Sequence, residues 1–279
     1  MTSGRAIEAR RGAPPEFPTF SHALHRWFSR YLSYYFGRHF TAVRLSKSGP
    51  APAIDDRPLV FYSNHPSWWD PVLYMLVGRL CYPGREGYGP MDAAAIGKYG
   101  FFKKLGVFGV EPGTLAGARE FLRVSAGVLE RPGSTLWLTA EGEFKDARRR
   151  PIRLKSGLAH LVRRLDSVAV VPLAIEYTFW NERLPEALLS FGEPILKTAG
   201  DPDKSAGEWN QELERRLEET LDRLAAVAGD RDPERFEVLS LGRTGVGGLY
   251  DRWRRVKALL RGESFDAAHG VDSLTSRRR

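Results

Sequence analysis

His65 and Asp70 offer an imidazole and a carboxylate separated by four residues, directly after the apolar run Leu59-Val60-Phe61. A neutral imidazole can take a proton from a hydroxyl near pH 7, and a carboxylate can hold the ring in the tautomer that does so. An alcohol attacks an ester or thioester usefully only when a base removes its proton. The two residues therefore predict general-base chemistry at the end of a strand.

A continuous helix cannot bring these two side chains together. Five residues advance a helix by about 500°, which leaves the side chains about 140° apart. Pro71 favours a helix start here, because proline suits the first helical position and disfavours a helical residue before it. We expect His65 on a loop that folds back towards Asp70 at the helix boundary. Taken singly, Asp70 is also typical of a helix cap, and His65 of a hydrogen-bonded loop histidine.

Chain length, net charge and cysteine content limit the classes of protein to which this chain can belong. The chain has 279 residues and a net charge of +8, which predicts one main domain and an anionic partner: nucleic acid, a membrane surface or a phosphate-bearing ligand such as coenzyme A. Cys81 is the only cysteine, so we expect no intramolecular disulfide, no thiolate metal cluster and a reducing compartment. The sequence shows neither the apolar core of a signal peptide nor about 18 consecutive apolar residues, and we expect no membrane span.

Short β-rich runs alternate with helical patterns, which is typical of an α/β fold with a mixed, largely parallel sheet flanked by helices. Strands are predicted at 59–63, 106–110, 136–139, 168–176 and 188–191. Helices are predicted at 71–80, at 114–130 with Thr114 as the N-cap, at 156–165, and at 205–228 with Gly229 as the stop. Residues from about Asp230 onward are rich in charge and glycine, and we expect them to be loosely attached.

Two segments mix aromatic residues with arginine at helical spacing. The first, 22–36, places five side chains on one helical face: Leu24, Trp27, Phe28, Tyr31 and Tyr35. The second, 249–260, does the same with Trp253, Val256 and Leu260. Such helices either lie in a membrane interface or pack on the domain, and the sequence leaves both interpretations open.

The pattern Asn-His-x-Ser-x-x-Asp-Pro, at residues 64–71, resembles the first sequence block of the glycerolipid acyltransferases, the family of lysophosphatidate and other lysophospholipid acyltransferases. Three later segments resemble further blocks in family order. They are Phe101 to Val110, Glu141-Gly142 after the strand predicted at 136–139, and Val170 to Ile175. The resemblance covers about Leu59 to Ile175.

The resemblance implies an α/β acyltransferase that moves an acyl group from acyl-coenzyme A or acyl carrier protein to a hydroxyl, with no cofactor and no metal. In that scheme His65 is the general base, and Asp70 fixes its tautomer and stabilises the imidazolium. Glu141 and Gly142 become candidate substrate-binding residues, because a glycine turn offers backbone amides to a tetrahedral oxyanion.

Two departures from the family pattern bear on the acceptor. The second block usually ends in an arginine that binds acceptor phosphate, where this chain has Glu111. The third block usually reads Pro-Glu-Gly-Thr-Arg, whereas residues 140–144 read Ala-Glu-Gly-Glu-Phe. Glu111 is therefore a candidate determinant of acceptor selectivity. Candidate replacements for the lost arginine are Lys145, Arg148, Arg149 and Arg150, and candidates for phosphate or coenzyme A contacts are Lys103, Lys104 and Arg153. A solvated basic surface is the alternative explanation of each.

The acceptor classes that remain are a lysophospholipid or lysophosphatidate, ranked slightly higher as the commonest family task, and a phosphate-free acceptor such as a glycolipid or carotenoid glycoside. A non-catalytic lipid-binding relative is a further alternative. Nucleic acid is not expected as a partner, because zinc-ligand spacing and RNA-binding motifs are missing from the sequence.

We expect a peripheral enzyme on the inner face of the cell membrane, in the cytoplasm, with the membrane surface among its partners. The expected organisation is an N-terminal amphipathic segment (1–50), an acyltransferase domain (51–229) and a basic, partly flexible C-terminal extension (230–279).

Overall fold

The computed structural model describes residues 17–98 and 100–243. In this part of the chain nine strands form one sheet: β1 (Ala42–Ser46), β2 (Leu59–Ser63), β3 (Glu86–Asp92), β4 (Val107–Val110), β5 (Ser134–Thr139), β6 (Val168–Thr178), β7 (Glu186–Phe191), β8 (Ile195–Lys197) and β9 (Phe236–Leu241). The α-helices are α1 (His22–His39), α2 (Asp70–Cys81), α3 (Ala93–Lys98), α4 (Leu115–Leu129), α5 (Gly157–Arg164) and α6 (Ala206–Gly229). Two 3₁₀ turns, Gly100–Lys104 and Pro233–Arg235, complete the order.

The sheet is mixed and mostly parallel, as predicted. Its strand order is β4-β3-β5-β2-β6-β7-β1-β9, with β8 pairing with β6 off this path. The five strands from β4 to β6 are parallel to one another. The strand β2, which precedes His65, lies between β5 and β6 and is the fourth of the eight strands on this path. In open α/β sheets, ligands bind outside the carboxyl ends of such strands.

Alternate side chains of each central strand enter opposite cores, because successive residues of a strand point to opposite faces. On one face Val60 and Tyr62 pack with residues of α4, α5 and α6. On the other face Leu59 and Phe61 pack with residues of α1 and α2. Helices on both faces keep these parallel strands buried, which is why they read as continuous apolar runs in the sequence.

The predicted strands and helices are present with small differences at their ends. The N-caps are confirmed: the Thr114 hydroxyl accepts from the Gly117 N–H, and Ser205 forms a reciprocal capping box with Glu208. The helix α6 ends at Gly229. Among the described residues, no helix combines the length and apolar character that crossing a bilayer requires.

Four strands, β1, β3, β8 and β9, were not predicted from the sequence. The strand β1 carries Arg44, which is buried and paired with Glu186, and β3 contains two glycines and a proline, so neither reads as β-rich. The strand β8 has only three residues. The expectation of loose attachment from Asp230 onward is wrong for β9, because Phe236–Leu241 pairs antiparallel with β1. The helix predicted at 249–260 lies outside the described residues.

Candidate active site

His65 and Asp70 meet at the carboxyl end of β2. The His65 Nδ1 atom lies 2.6 Å from Asp70 Oδ2. Because a carboxylate accepts, Nδ1 carries the hydrogen and Nε2 presents its lone pair. The Asp70 side chain is fully buried, whereas 16% of the His65 side chain is exposed. No described residue forms a hydrogen bond with Nε2, so this atom can accept a proton from a bound hydroxyl.

Local chain geometry produces this contact. The chain leaves β2 at Ser63, turns through residues 64–69 and starts α2 at Asp70, with Pro71 in the first helical turn. Asp70 does not act as the helix cap, since Trp69 occupies the N-cap position. The Asp70 carboxylate instead accepts from His65 Nδ1, from the Ser67 N–H at 3.3 Å and from the Tyr177 hydroxyl at 2.7 Å.

Tyr177 is a site residue that the sequence analysis missed. It lies on β6, and its hydroxyl donates to Asp70 Oδ1, the oxygen that His65 does not use. Burial, followed by the negative charge of Asp70, raises the pKa of Tyr177 well above its usual range. The hydroxyl therefore stays protonated and remains a donor. Its position on a central strand just after the block at 170–175 is the one signal in the sequence.

Asn64 holds the backbone next to His65. Its side-chain amide donates to the Ile175 carbonyl at 2.8 Å, and its oxygen accepts from the Ile175 N–H at 2.9 Å. These bonds continue the pairing of β2 with β6 for one further step beyond Ser63. The residue that bears the base is thereby attached to the sheet.

The loop after β5 forms two hydrogen bonds with the backbone of His65. Glu141 Oε2 accepts from the His65 N–H at 3.2 Å, and the Lys145 N–H donates to the His65 carbonyl at 3.0 Å. Burial raises the pKa of Glu141 above its ordinary value, against the opposing effects of the His65 amide and of Lys145. Lys145 Nζ lies 3.8 Å from Glu141 and 3.1 Å from Glu143.

Phe144, on the same loop, covers part of the imidazole. The ring centroids of His65 and Phe144 are 4.3 Å apart, and 62% of Phe144 is exposed. Trp68 is also exposed, and it stacks on Trp69 at 4.5 Å. The surface around the base is therefore aromatic. Phe144 belongs to the altered block at residues 140–144, and nothing in the sequence indicates its position beside His65.

The other predicted site residues have different positions. Gly142 has a positive φ of 70°, and its N–H donates to the Thr139 carbonyl, so this amide is already engaged. Glu111 is exposed at the carboxyl end of β4, at the same edge of the sheet as His65. Three strand spacings, about 14 Å, separate β4 from β2.

Three of the predicted basic residues do not contact His65. Lys103 and Lys104 lie in the 3₁₀ turn before β4, at the other end of that strand from Glu111. Arg148 follows the loop that holds His65, and its guanidinium forms two hydrogen bonds with Asp146. The structure therefore brings together His65, Asp70 and Glu141 but not these three basic residues.

Among residues 17–98 and 100–243, no group of three or more His, Cys, Asp or Glu side chains is arranged to hold a metal ion. Two concavities of about 480 and 210 Å³ lie away from the pair. The larger is lined by residues of α5 and α6, including His160 and Asn210, and the smaller by residues such as Arg57 and Arg131. His65 and Asp70 line neither, so neither is an acyl pocket for this pair.

The sequence around this site is similar to a known protein family. Residues 44–176 match the family model described as Acyltransferase. This range contains β2 with His65 and Asp70, the loop with Glu141, and β6 up to Glu176. No curated protein matches the chain.

Proposed function

We propose that this chain, whose residues 44–176 match the acyltransferase family model, transfers a fatty acyl group from a thioester to a lipid hydroxyl, with His65 as the general base. General acyltransferase function follows from the family match. The observation that carries the specific mechanism is the 2.6 Å contact of His65 Nδ1 with a fully buried carboxylate, which leaves Nε2 free among the described residues.

In the proposed reaction, Nε2 takes the proton of the acceptor hydroxyl as the oxygen attacks the thioester carbonyl carbon. Asp70 holds the ring and stabilises the imidazolium that forms. The tetrahedral intermediate then collapses, the carbon–sulfur bond breaks, and the imidazolium returns its proton to the thiolate. The products are an ester and a free thiol, and His65 returns to its neutral form.

We propose acyl-coenzyme A or acyl carrier protein as the thioester donor, with no cofactor. A net charge of +8 supports either donor, because both carry anionic groups. The acceptor is a membrane lipid with a free hydroxyl. A lysophospholipid or lysophosphatidate and a phosphate-free glycolipid both satisfy this mechanism.

We further propose that the protein works as a peripheral enzyme on the inner, anionic face of the cell membrane. The helix α1 supports this proposal, since it exposes Trp27, Tyr31 and Tyr34 together with Arg26 and Arg30. Aromatic rings enter the headgroup region of a bilayer, and arginine meets lipid phosphate.

His65→Ala is expected to lower kcat by about 10²- to 10⁴-fold, the usual contribution of a general base. The assay follows release of the free thiol together with formation of labelled lipid ester. His160→Ala, at an exposed position on α5, is the matched control and should keep normal rates. Near-normal turnover of His65→Ala with an unchanged unfolding midpoint would rule out this mechanism.

A further inference from the structure

The approach to the base passes an aromatic ring. The Phe144 ring lies against His65, with the ring centroids 4.3 Å apart and the ring planes tilted by 39°, and only 16% of the His65 side chain is exposed. An acceptor whose hydroxyl reaches Nε2 therefore places the carbon atoms next to that hydroxyl in reach of the Phe144 ring. Because most of Phe144 is exposed in this structure, the ring has a free surface on which a ligand can pack.

Two cations close in sequence to Phe144 are paired with carboxylates, and the positive charges of Lys155 and Arg149 also act on Glu143. Lys145, 15% exposed, lies between Glu141 and Glu143. The guanidinium of Arg148 forms two hydrogen bonds with Asp146, and its positive charge also acts on Glu176, whose pKa is raised by burial. A phosphate that binds Lys145 or Arg148 would have to displace one of these carboxylates or lie beside it.

Three carboxyl side chains lie close to the base. Asp70 is in contact with His65, Glu141 holds the His65 amide, and Glu143 is exposed one residue before Phe144. Two like charges a few ångströms apart repel each other, and burial increases the repulsion. A dianionic phosphate monoester is a poor match for this surface.

An aromatic ring beside exposed carboxylate oxygens suits a different ligand. The apolar C–H face of a sugar or polyol packs on an aromatic ring, and its hydroxyls donate to carboxylates. We propose that the acceptor is a neutral glycolipid, with its reacting hydroxyl on a sugar or polyol that packs on Phe144 and donates to Glu143. This inference rests on the proposed function and specifies the acceptor of the same site.

The test is a competition in one vesicle population. Vesicles contain equal amounts of a monoglycosyl diacylglycerol and of lysophosphatidate, and the full chain receives labelled acyl-coenzyme A or, in a parallel reaction, labelled acyl carrier protein. The ratio of acylated glycolipid to acylated lysophosphatidate is measured. We expect it to favour the glycolipid by about tenfold or more, since a neutral headgroup packs on Phe144 without bringing a second negative charge next to Glu143.

Phe144→Arg tests the residue itself. This change removes the ring and adds a cation, so the product ratio should shift towards lysophosphatidate by about tenfold or more. Leu196→Arg is the matched control. Leu196 is 53% exposed on β8, which pairs with the opposite end of β6 from Tyr177. The Leu196→Arg substitution adds the same charge far from His65 and should leave the ratio of the two acylated products unchanged.

The outcomes separate the inference from the proposed function. Preferred acylation of lysophosphatidate by the wild type, or an unchanged ratio in Phe144→Arg, would overturn the glycolipid inference while leaving acyl transfer by His65 intact. Failure to acylate either lipid with either donor would overturn both. Equal shifts in Phe144→Arg and Leu196→Arg would attribute the effect to net charge and would also overturn the role of Phe144.

Discussion

At the scale of single residues, the arrangement around Asp70 explains how a carboxylate can be fully buried beside a general base. Three donors converge on its two oxygens: the His65 ring, the Ser67 amide and the Tyr177 hydroxyl. Burial of an unpaired carboxylate costs several kcal/mol, and hydrogen bonds offset that cost. Tyr177 is the donor that lies farthest away in the sequence, 107 positions from Asp70.

Tyr177→Phe should lower kcat by about tenfold and leave KM nearly unchanged, because Tyr177 acts through Asp70 and not on the substrate. A carboxylate with one donor fewer attracts the imidazole proton more strongly. The acid limb of the pH–rate profile should therefore move to higher pH.

Tyr82→Phe is the matched control for this prediction. The Tyr82 hydroxyl donates to the Pro52 carbonyl at 3.0 Å, away from His65. Loss of either hydroxyl should cost similar stability, since each bond is partly buried. Only Tyr177→Phe should change the pH profile, and identical profiles for the two variants would show that Tyr177 has a purely structural role.

The sequence could predict His65 and Asp70 because a turn and a proline place them close together. It could not predict Tyr177 or Phe144. The contact of Tyr177 depends on the register of β2 against β6, in which Ser63 lies opposite Leu173. The position of Phe144 depends on a loop held by the two bonds to the His65 backbone. The spacing of residues along the sequence reveals neither this strand register nor the position of this loop.

At the scale of secondary structure, the attachment of β2 to β6 positions the base. Asn64 is buried and forms two hydrogen bonds with the Ile175 backbone. The strands in this region are buried on both faces, so their apolar runs reveal them in the sequence. The strands β1 and β9 were not predicted, because β1 includes a buried arginine and β9 follows a charged segment at one end of the sheet path.

Asn64→Ala should destabilise the protein by about 2–3 kcal/mol, because it leaves a buried N–H and a buried carbonyl of Ile175 without partners. Urea unfolding measures this loss as a lower midpoint with an unchanged slope. Turnover should also fall at temperatures where the variant remains folded, since the backbone of His65 is no longer attached on that side.

Asn210→Ala provides the comparison for this change. Asn210 donates to Glu214 within α6 at 3.0 Å, and pairs of this kind contribute only about 0.2–0.5 kcal/mol. Similar unfolding midpoints for the two variants would contradict the role given to Asn64.

At the scale of the whole molecule, α1 connects the surface to the site. Its aromatic rings form a series of stacked contacts, from Trp27 to Tyr31 at 6.0 Å and from Tyr31 to Tyr35 at 6.1 Å. Tyr35 then contacts Trp69, which directly precedes Asp70. Phe36 is buried in the core on this face of the sheet. One side of α1 therefore packs on the domain, whereas Trp27, Tyr31 and Tyr34 remain exposed.

Trp27, Tyr31 and Tyr34 expose apolar surface that packing on the domain does not bury. If α1 lies in the membrane interface, the stacked rings hold the His65 side of the molecule against the lipids that supply its acceptor. Replacement of Trp27 and Tyr31 together by alanine should then weaken binding to anionic vesicles by about tenfold or more. Binding of the wild type should also weaken as salt is raised, because the charges of Arg26 and Arg30 are screened.

Cosedimentation with vesicles measures both effects. Leu196→Ala removes exposed apolar surface on β8, at a position 53% exposed, and should leave binding unchanged. The thiol-release assay with a detergent-dispersed acceptor separates docking from chemistry. In detergent, the Trp27 and Tyr31 variant should turn over at the normal rate, since both rings lie outside the hydrogen bonds that hold His65. Normal vesicle binding by this variant would show that the exposed rings of α1 have no part in membrane attachment.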